Sequence, residues 1–146
     1  MRISDLLKAT TVKTGVQISS RDEAIDMLIY LHEKAGNLKD KAQYKEDILA
    51  REAAGTTAIG DGIAIPHAKS EAVKAAGLAA VTVPEGVDYK APDGNPSNLV
   101  FMIAAPVDGD LHLEVLSRLM TLLMDTELRE ELLKATTAEA FIKAID

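Results

Sequence analysis

The spacing of apolar positions along this chain changes period twice. Over residues 20–36 the apolar side chains fall at Ala24, Ile25, Leu28, Ile29 and Leu31, the three-and-four spacing of an amphipathic helix. Ser20 precedes this run and Glu23 lies three residues on, the arrangement of a capping box, so a helix is predicted to run up to Gly36. Asp40 with Gln43 marks a second helix start, and Tyr44, Ile48 and Leu49 carry the period on to Gly55. Beyond that point the pattern becomes strand-like. Residues 59–65, 77–83 and 98–105 read as strands, and the last is almost without a polar position, as in a strand covered on both faces. Residues 84–96, rich in Gly, Pro, Asp and Asn, read as an excursion or hairpin between the last two. Asp108-Gly109-Asp110 ends the sheet, and helical spacing returns over residues 111–124. Asp125 caps a short helix at 127–134, and Thr136 with Glu139 forms a last capping box before a helix ending at Ile145. Upstream, a helical turn at 3–8 and a brief strand at 16–18 open the chain. The predicted order is strand, two helices, three strands, three helices. Apolar central strands need cover on both faces and the helices supply it, which predicts an α/β layered domain with a mixed sheet.

Composition narrows the class. The 146 residues suit one domain, 1–146, and 47% apolar residues exclude a disordered chain. The net charge of −7 argues against nucleic acid as a partner, because phosphate backbones are bound by clustered Lys and Arg. It is compatible with a basic protein partner. With no Trp, two Phe and three Tyr, stacking on bases or sugars is not the expected binding mode. No cysteine is present, so thiolate nucleophiles, disulfides and Cys-ligated metal sites are excluded. Residues 1–5 carry no signal-peptide core and the longest strongly apolar run, 99–105, is too short to span a bilayer. A cytoplasmic domain without membrane insertion is expected.

The candidate chemistry centres on the run Gly60-Asp-Gly-Ile-Ala-Ile-Pro-His-Ala-Lys69. His67 follows Pro66 at the end of a short apolar run. Pro66 holds Ile65 extended, and Gly60 and Gly62 let backbone approach a ligand closely. A neutral imidazole there can act as a nucleophile or a general base without a strongly shifted pKa. Residues 68–73 are helix-permissive. A helical turn starting at Ala68 and Lys69 would aim free N–H groups at an anion on His67. The same residues also fit an ordinary loop histidine. Arg51, near a helix end before Gly55, either grips phosphate oxygens through its fork of donors or complements the helix dipole. Thr56 and Thr57 can donate to an anion or simply make the turn. His112, at the start of a long helix, either places an oxyanion and tunes His67 or is a half-buried helix-start residue. His32 lies between Leu31 and Glu33 and is expected on the polar, solvated side.

Sharper nucleotide and hydrolase signatures are missing. The chain has no G-x-x-x-x-G-K-[ST] loop, no dinucleotide-binding glycine fingerprint, no H-E-x-x-H helix and no G-x-S-x-G elbow. The spacing of histidines and carboxylates gives no support to a metal site, so neither metal nor cofactor is expected.

Taken together, Ile48-Leu-Ala-Arg-Glu, Gly55-Thr-Thr-Ala-Ile-Gly, Gly62-Ile-Ala-Ile-Pro-His-Ala-Lys, Phe101-Met-Ile-Ala-Ala-Pro and His112-Leu-Glu-Val-Leu resemble the enzyme IIA component, fructose/mannitol class, of the bacterial phosphoenolpyruvate-dependent sugar phosphotransferase system. The resemblance covers nearly the whole chain. It implies a three-layer α/β/α sandwich with a mixed sheet. It implies that His67 accepts a phosphoryl group from the histidine-containing phosphocarrier protein and passes it to a cysteine of enzyme IIB. Arg51 and His112 match the family's active-site arginine and second histidine, and Thr56 matches a Ser/Thr position. Gly86-Val-Asp-Tyr and Asp93-Gly-Asn-Pro resemble the fructose branch more than the mannitol or nitrogen-regulatory branches. The short Val107-Asp-Gly-Asp run before His112 departs from related sequences that are longer there. A nitrogen-type regulatory module, in which phosphorylation of His67 controls binding to a target protein, is the alternative implied by the same site.

Overall fold

The computed structural model describes residues 2–146. After a 3-10 turn at Ile3–Asp5 come β1 (Leu7–Lys13), α1 (Arg21–Lys34), α2 (Lys41–Ala54), β2 (Ala58–Gly60), β3 (Ile63–Ala64), β4 (His67–Lys69), β5 (Gly77–Val87), β6 (Ser97–Ala105), α3 (Leu111–Leu122), α4 (Thr126–Lys134) and α5 (Ala138–Ile145). The strands form one mixed sheet in the order β1-β5-β6-β3-β2, with β4 also laid against β6. β1 runs parallel to β5, while β3 and β4 run parallel to β6. The β5–β6 and β2–β3 pairs are antiparallel.

Side chains of successive strand residues point to opposite faces, and each face has its own core. Ala79, Val81, Val100 and Met102 meet Ile25, Leu28, Tyr44 and Ile48 of α1 and α2. Leu78, Ala80, Phe101 and Ile103 meet Val115, Leu119, Leu132 and Phe141 of α3, α4 and α5. This is the three-layer α/β/α arrangement with a mixed sheet. Among the described residues no helix is long and apolar enough to cross a membrane.

The predicted caps hold at three helices and slip by one residue at a fourth. Ser20 accepts from the Glu23 N–H, Asp40 from the Gln43 N–H, and Asp125 from the Glu127 and Leu128 N–H groups. The last helix is capped by Thr137 rather than Thr136, through the Ala140 N–H. Three other expectations need correction. The first strand is Leu7–Lys13 and not 16–18; its alternation is masked by a run of exposed residues where the register with β5 shifts between Leu7 and Val12. The expected single strand at 59–65 is a hairpin, β2 and β3. Asp61 and Gly62 both take positive φ, 56° and 77°, in its turn, as a two-residue turn of the Asp-Gly kind requires. β5 runs past 83 to Val87, so the excursion is shorter than residues 84–96.

His32 is a further correction. It is fully buried, not solvated. Ile25, Leu28, Ile29 and His32 form one i, i+3, i+4, i+7 stripe, so helical geometry turns its ring toward the sheet. Nε2–H donates to the Met102 carbonyl at 3.0 Å and Nδ1 accepts from the Asn37 amide at 3.1 Å. Burial lowers its pKa to about 4, against a smaller opposing effect from the Met102 bond. The unfolded chain therefore binds a proton below pH 6.5 that the folded chain refuses until about pH 4. Stability is expected to fall as pH drops through that window, by about 3 kcal/mol once both forms are charged. Urea unfolding of wild type and His32→Gln at pH 7.5 and 4.5 checks this: a wild type no more acid-sensitive than the variant excludes it.

Candidate functional site

β4 is an edge strand whose sole partner among the described residues is β6, His67 opposite Ile103 and Lys69 opposite Ala105. Pro66 cannot donate to a ladder, which suits the entry to an edge strand. The Pro66 carbonyl accepts from the Ile103 N–H and the Ser70 N–H donates to the Ala105 carbonyl. Even-numbered residues therefore face β6, and strand alternation turns the N–H groups of His67 and Lys69 outward. The helical turn expected at 68–73 is absent, and the donors it was to supply come from the strand edge. Ala68 contributes no outward amide, because its backbone faces β6. Its side chain packs into the α1–α2 core, so His67 and Lys69 project to the opposite face, where α3 begins.

His67 is half-buried. Its Nδ1 lies 2.7 Å from the Ile65 carbonyl oxygen. A carbonyl can only accept, so Nδ1 carries the proton and the neutral ring keeps a bare lone pair on Nε2. Pro66 fixes the backbone between donor and acceptor. One ring nitrogen is thus tied down and the other is left free to react.

His112 is the second residue of α3. Its pKa is lowered, first by burial and then by the nearby charges of Lys69 and His67. The effect of both groups on His112 places His67 and Lys69 close to it. His112 Nδ1 is buried with no hydrogen-bond partner among the described residues. An orphaned buried N–H is rarer than an orphaned acceptor, which favours the neutral ring with its hydrogen on Nε2.

Arg51 sits in the last turn of α2 and donates from Nη1 to the Gly55 carbonyl at 2.7 Å, closing its own helix end. It also lines, with Asp47, Ala68, Lys69, Ser70 and Val107, an open cleft of about 620 Å³. A guanidinium has five N–H donors, so capping the helix leaves it able to grip an anion in that cleft. Arg51 and Lys69 thus share one space, two positions along the strand from His67.

Thr56 and Thr57 are spent internally. The Thr56 hydroxyl donates to the Tyr89 carbonyl at 2.7 Å and accepts from the Ala58 N–H. The Thr57 hydroxyl donates to Glu52 Oε2 at 2.6 Å. A hydroxyl has one hydrogen to donate, so neither is a free donor for an anion. Glu52 itself, only 4% exposed, was not foreseen, nor was Tyr89, whose OH donates to the same oxygen at 2.5 Å. Burial, the Glu52 charge and that bond together push the Tyr89 phenol far up. A carboxylate placed three residues ahead of a helix-ending glycine and followed by two threonines was the signal available. Among the described residues no three His, Cys, Asp or Glu side chains gather as metal ligands do.

These features define an α/β domain that presents a histidine with one ring nitrogen free at a sheet edge, close to a lysine and a second histidine, with an arginine in the cleft that the lysine also lines. Residues 5–146 match the family described as "Phosphoenolpyruvate-dependent sugar phosphotransferase system, EIIA 2", and the chain belongs to that family. It is similar to the fructose-specific EIIABC component of Bacillus subtilis, 45% identical over 147 residues that cover 100% of this chain. The chain spans 23% of that relative's length. The nitrogen regulatory protein IIA-Ntr of Neisseria meningitidis has the same fold, with TM-score 0.89 and 31% identity over 99% of each chain. So has the chain matched in the complex of enzyme IIAMTL and phosphorylated enzyme IIBMTL from Escherichia coli, with TM-score 0.83 and 27% identity over 95% of this chain and 96% of that one.

Proposed function

We propose that this chain is a single domain, in the cytoplasm, that takes a phosphoryl group on Nε2 of His67 from the histidine-containing phosphocarrier protein and hands it to a cysteine of an enzyme IIB partner. The observation that carries this reading is the Nδ1–H bond to the Ile65 carbonyl. It presents Nε2 as the lone pair and lets the carbonyl share the positive charge that builds on the ring as the new P–N bond forms. The donor's P–N bond breaks in the same in-line exchange. The phosphoryl group brings about two negative charges. The Lys69 ammonium, the Arg51 fork, His112 Nε2–H and the outward amides of β4 oppose them. Phosphoryl transfer of this kind is mainly positioning and charge stabilisation. Exposed Val107 and Leu113 flank His112 in the chain, Met120 is exposed further along α3, and they offer apolar surface for a transient partner.

The B. subtilis relative supports fructose as the sugar served and the E. coli complex supports enzyme IIB as the acceptor. The N. meningitidis structure favours one second reading, a regulatory module whose phosphorylation controls a target protein. Incubation with phosphoenolpyruvate, enzyme I and the phosphocarrier, followed by mapping, is expected to give one acid-labile, base-stable modification on His67. Modification elsewhere, or none, overturns the proposal. Onward transfer to a fructose-type enzyme IIB separates transport from regulation.

His112 has a graded role on this reading. His112→Ala is expected to slow acceptance about tenfold, the worth of one hydrogen bond of about 1.4 kcal/mol in the transition state. A rate equal to wild type in single-turnover assays makes His112 a structural residue.

A further inference from the structure

We propose that the buried Glu52 carboxylate is a positioning residue for His67, acting through Thr57 and the Ile65 peptide. The inference rests on His67 as the phosphoryl acceptor and adds how its reactive nitrogen is kept in place.

Glu52 is a buried charge that no lysine, arginine or histidine pairs with among the described residues. Such a group is costly unless hydrogen bonds saturate it. Here three donors do. Thr57 N–H reaches Oε1 at 2.8 Å, and the Thr57 and Tyr89 hydroxyls reach Oε2 at 2.6 and 2.5 Å. Thr57 is therefore gripped at its backbone nitrogen and its side chain at once, which sets the direction of its carbonyl. That carbonyl accepts the Ile65 N–H at 3.1 Å. Ile65 in turn offers its own carbonyl to His67 Nδ1 at 2.7 Å. A second tie, the Thr56 hydroxyl on the Tyr89 carbonyl, closes the assembly from the excursion side.

The line from Tyr89 through Glu52, Thr57 and Ile65 to the imidazole is unbroken. Each link is a bond whose donor and acceptor are fixed by chemistry rather than by choice of tautomer, and the last link selects the Nδ1–H form. A glutamine at position 52 weakens the grip. If its one oxygen keeps the Thr57 N–H, its amide nitrogen faces the Thr57 and Tyr89 hydroxyls, which must turn from donors into acceptors, and the bonds lose the charge that strengthens them. The Thr57 grip would loosen, and with it the aim of the Ile65 carbonyl.

The test reads the ring directly. With 15N-labelled histidine, neutral wild-type His67 is expected in the Nδ1–H form. Glu52→Gln is expected to lower the Nδ1–H to Nε2–H ratio by about two- to tenfold, the worth of one neutral hydrogen bond, and to slow phosphoryl acceptance by a similar factor. Tyr89→Phe, a milder change that removes one of the three donors, should shift both readouts the same way by less, and it carries the test if Glu52→Gln does not fold. Thr137→Ala, which removes the cap of α5 on the other side of the sheet, controls for lost stability and should leave the ratio unmoved. Unchanged ratios in Glu52→Gln and Tyr89→Phe, or an equal shift in Thr137→Ala, overturn the proposal. A shifted ratio in a protein that takes no phosphoryl group on His67 upholds the positioning and removes the functional reading instead.

Discussion

His67→Ala is expected to abolish phosphoryl acceptance while the domain stays folded. The chemical half follows from the site: removing the ring removes the one nitrogen with a free lone pair at the strand edge, and no cysteine exists to take its place. The structural half follows from what the ring touches. Its one hydrogen bond is to the neighbouring Ile65 carbonyl, it is half-buried, and the pairing of β4 with β6 runs through backbone. Losing that bond costs about 1 kcal/mol, which lowers Tm by about 2–4 °C in a domain of this size. Phosphate incorporation from labelled phosphoenolpyruvate and a melting curve decide it together. Incorporation at the wild-type level removes His67 from the mechanism, and a loss of incorporation in an unfolded protein says nothing for it.

The second large effect is expected at Arg51. Arg51→Ala should slow phosphoryl acceptance by about 10²–10³-fold, the range for deleting one preorganised charge-stabilising donor. It should also cost about 1 kcal/mol of stability, because the bond to the Gly55 carbonyl closes α2. Arg51→Lys separates the two roles. An ammonium can still satisfy one carbonyl but cannot present two parallel N–H groups to phosphate oxygens, so the lysine variant should regain stability and little of the rate. A single-turnover rate unchanged in Arg51→Ala, with a lowered Tm, would leave Arg51 as a helix-end cation only.

Local signals carried the layered plan. Apolar periods at Ile25, Leu28 and Ile29, and again through residues 98–105, were enough to place helices and a doubly covered strand, and Ser20, Asp40 and Asp125 marked three helix starts correctly. What the sequence did not show depended on pairing between distant segments. β1 carries three exposed residues in a row where its register shifts, so its period is visible only beside β5. The turn at Asp61 and Gly62 was a legible hairpin signal that a continuous apolar reading of residues 59–65 overrode. Residues 68–73 had the composition of a helix, but Ala68 and Ser70 are claimed by β6, and that tertiary ladder wins over a weak local preference. At the site, His67, Arg51 and His112 stood out because each has a rare side chain at a punctuated position. The donors of Thr56 and Thr57 looked free because their acceptors, Tyr89 and Glu52, are defined by the fold. His32 differs for another reason: its place on the stripe of Ile25, Leu28 and Ile29, and not the polarity of its ring, decides its burial, and the Met102 carbonyl satisfies the ring there.

The first strand of the sheet and the last helix close on each other. α5 packs against β1, and the Ser4 N–H donates to the Asp146 carboxylate at 3.2 Å. Within this domain β1 is made before its ladder partner β5, some seventy residues away, and before its covering helix, which lies beyond residue 137. Contacts this far apart along the chain delay folding and leave early segments unprotected. Leu7 and Val12 of the nascent domain therefore stay uncovered until α5 emerges, and that interval is their period of greatest exposure to chaperones and to aggregation.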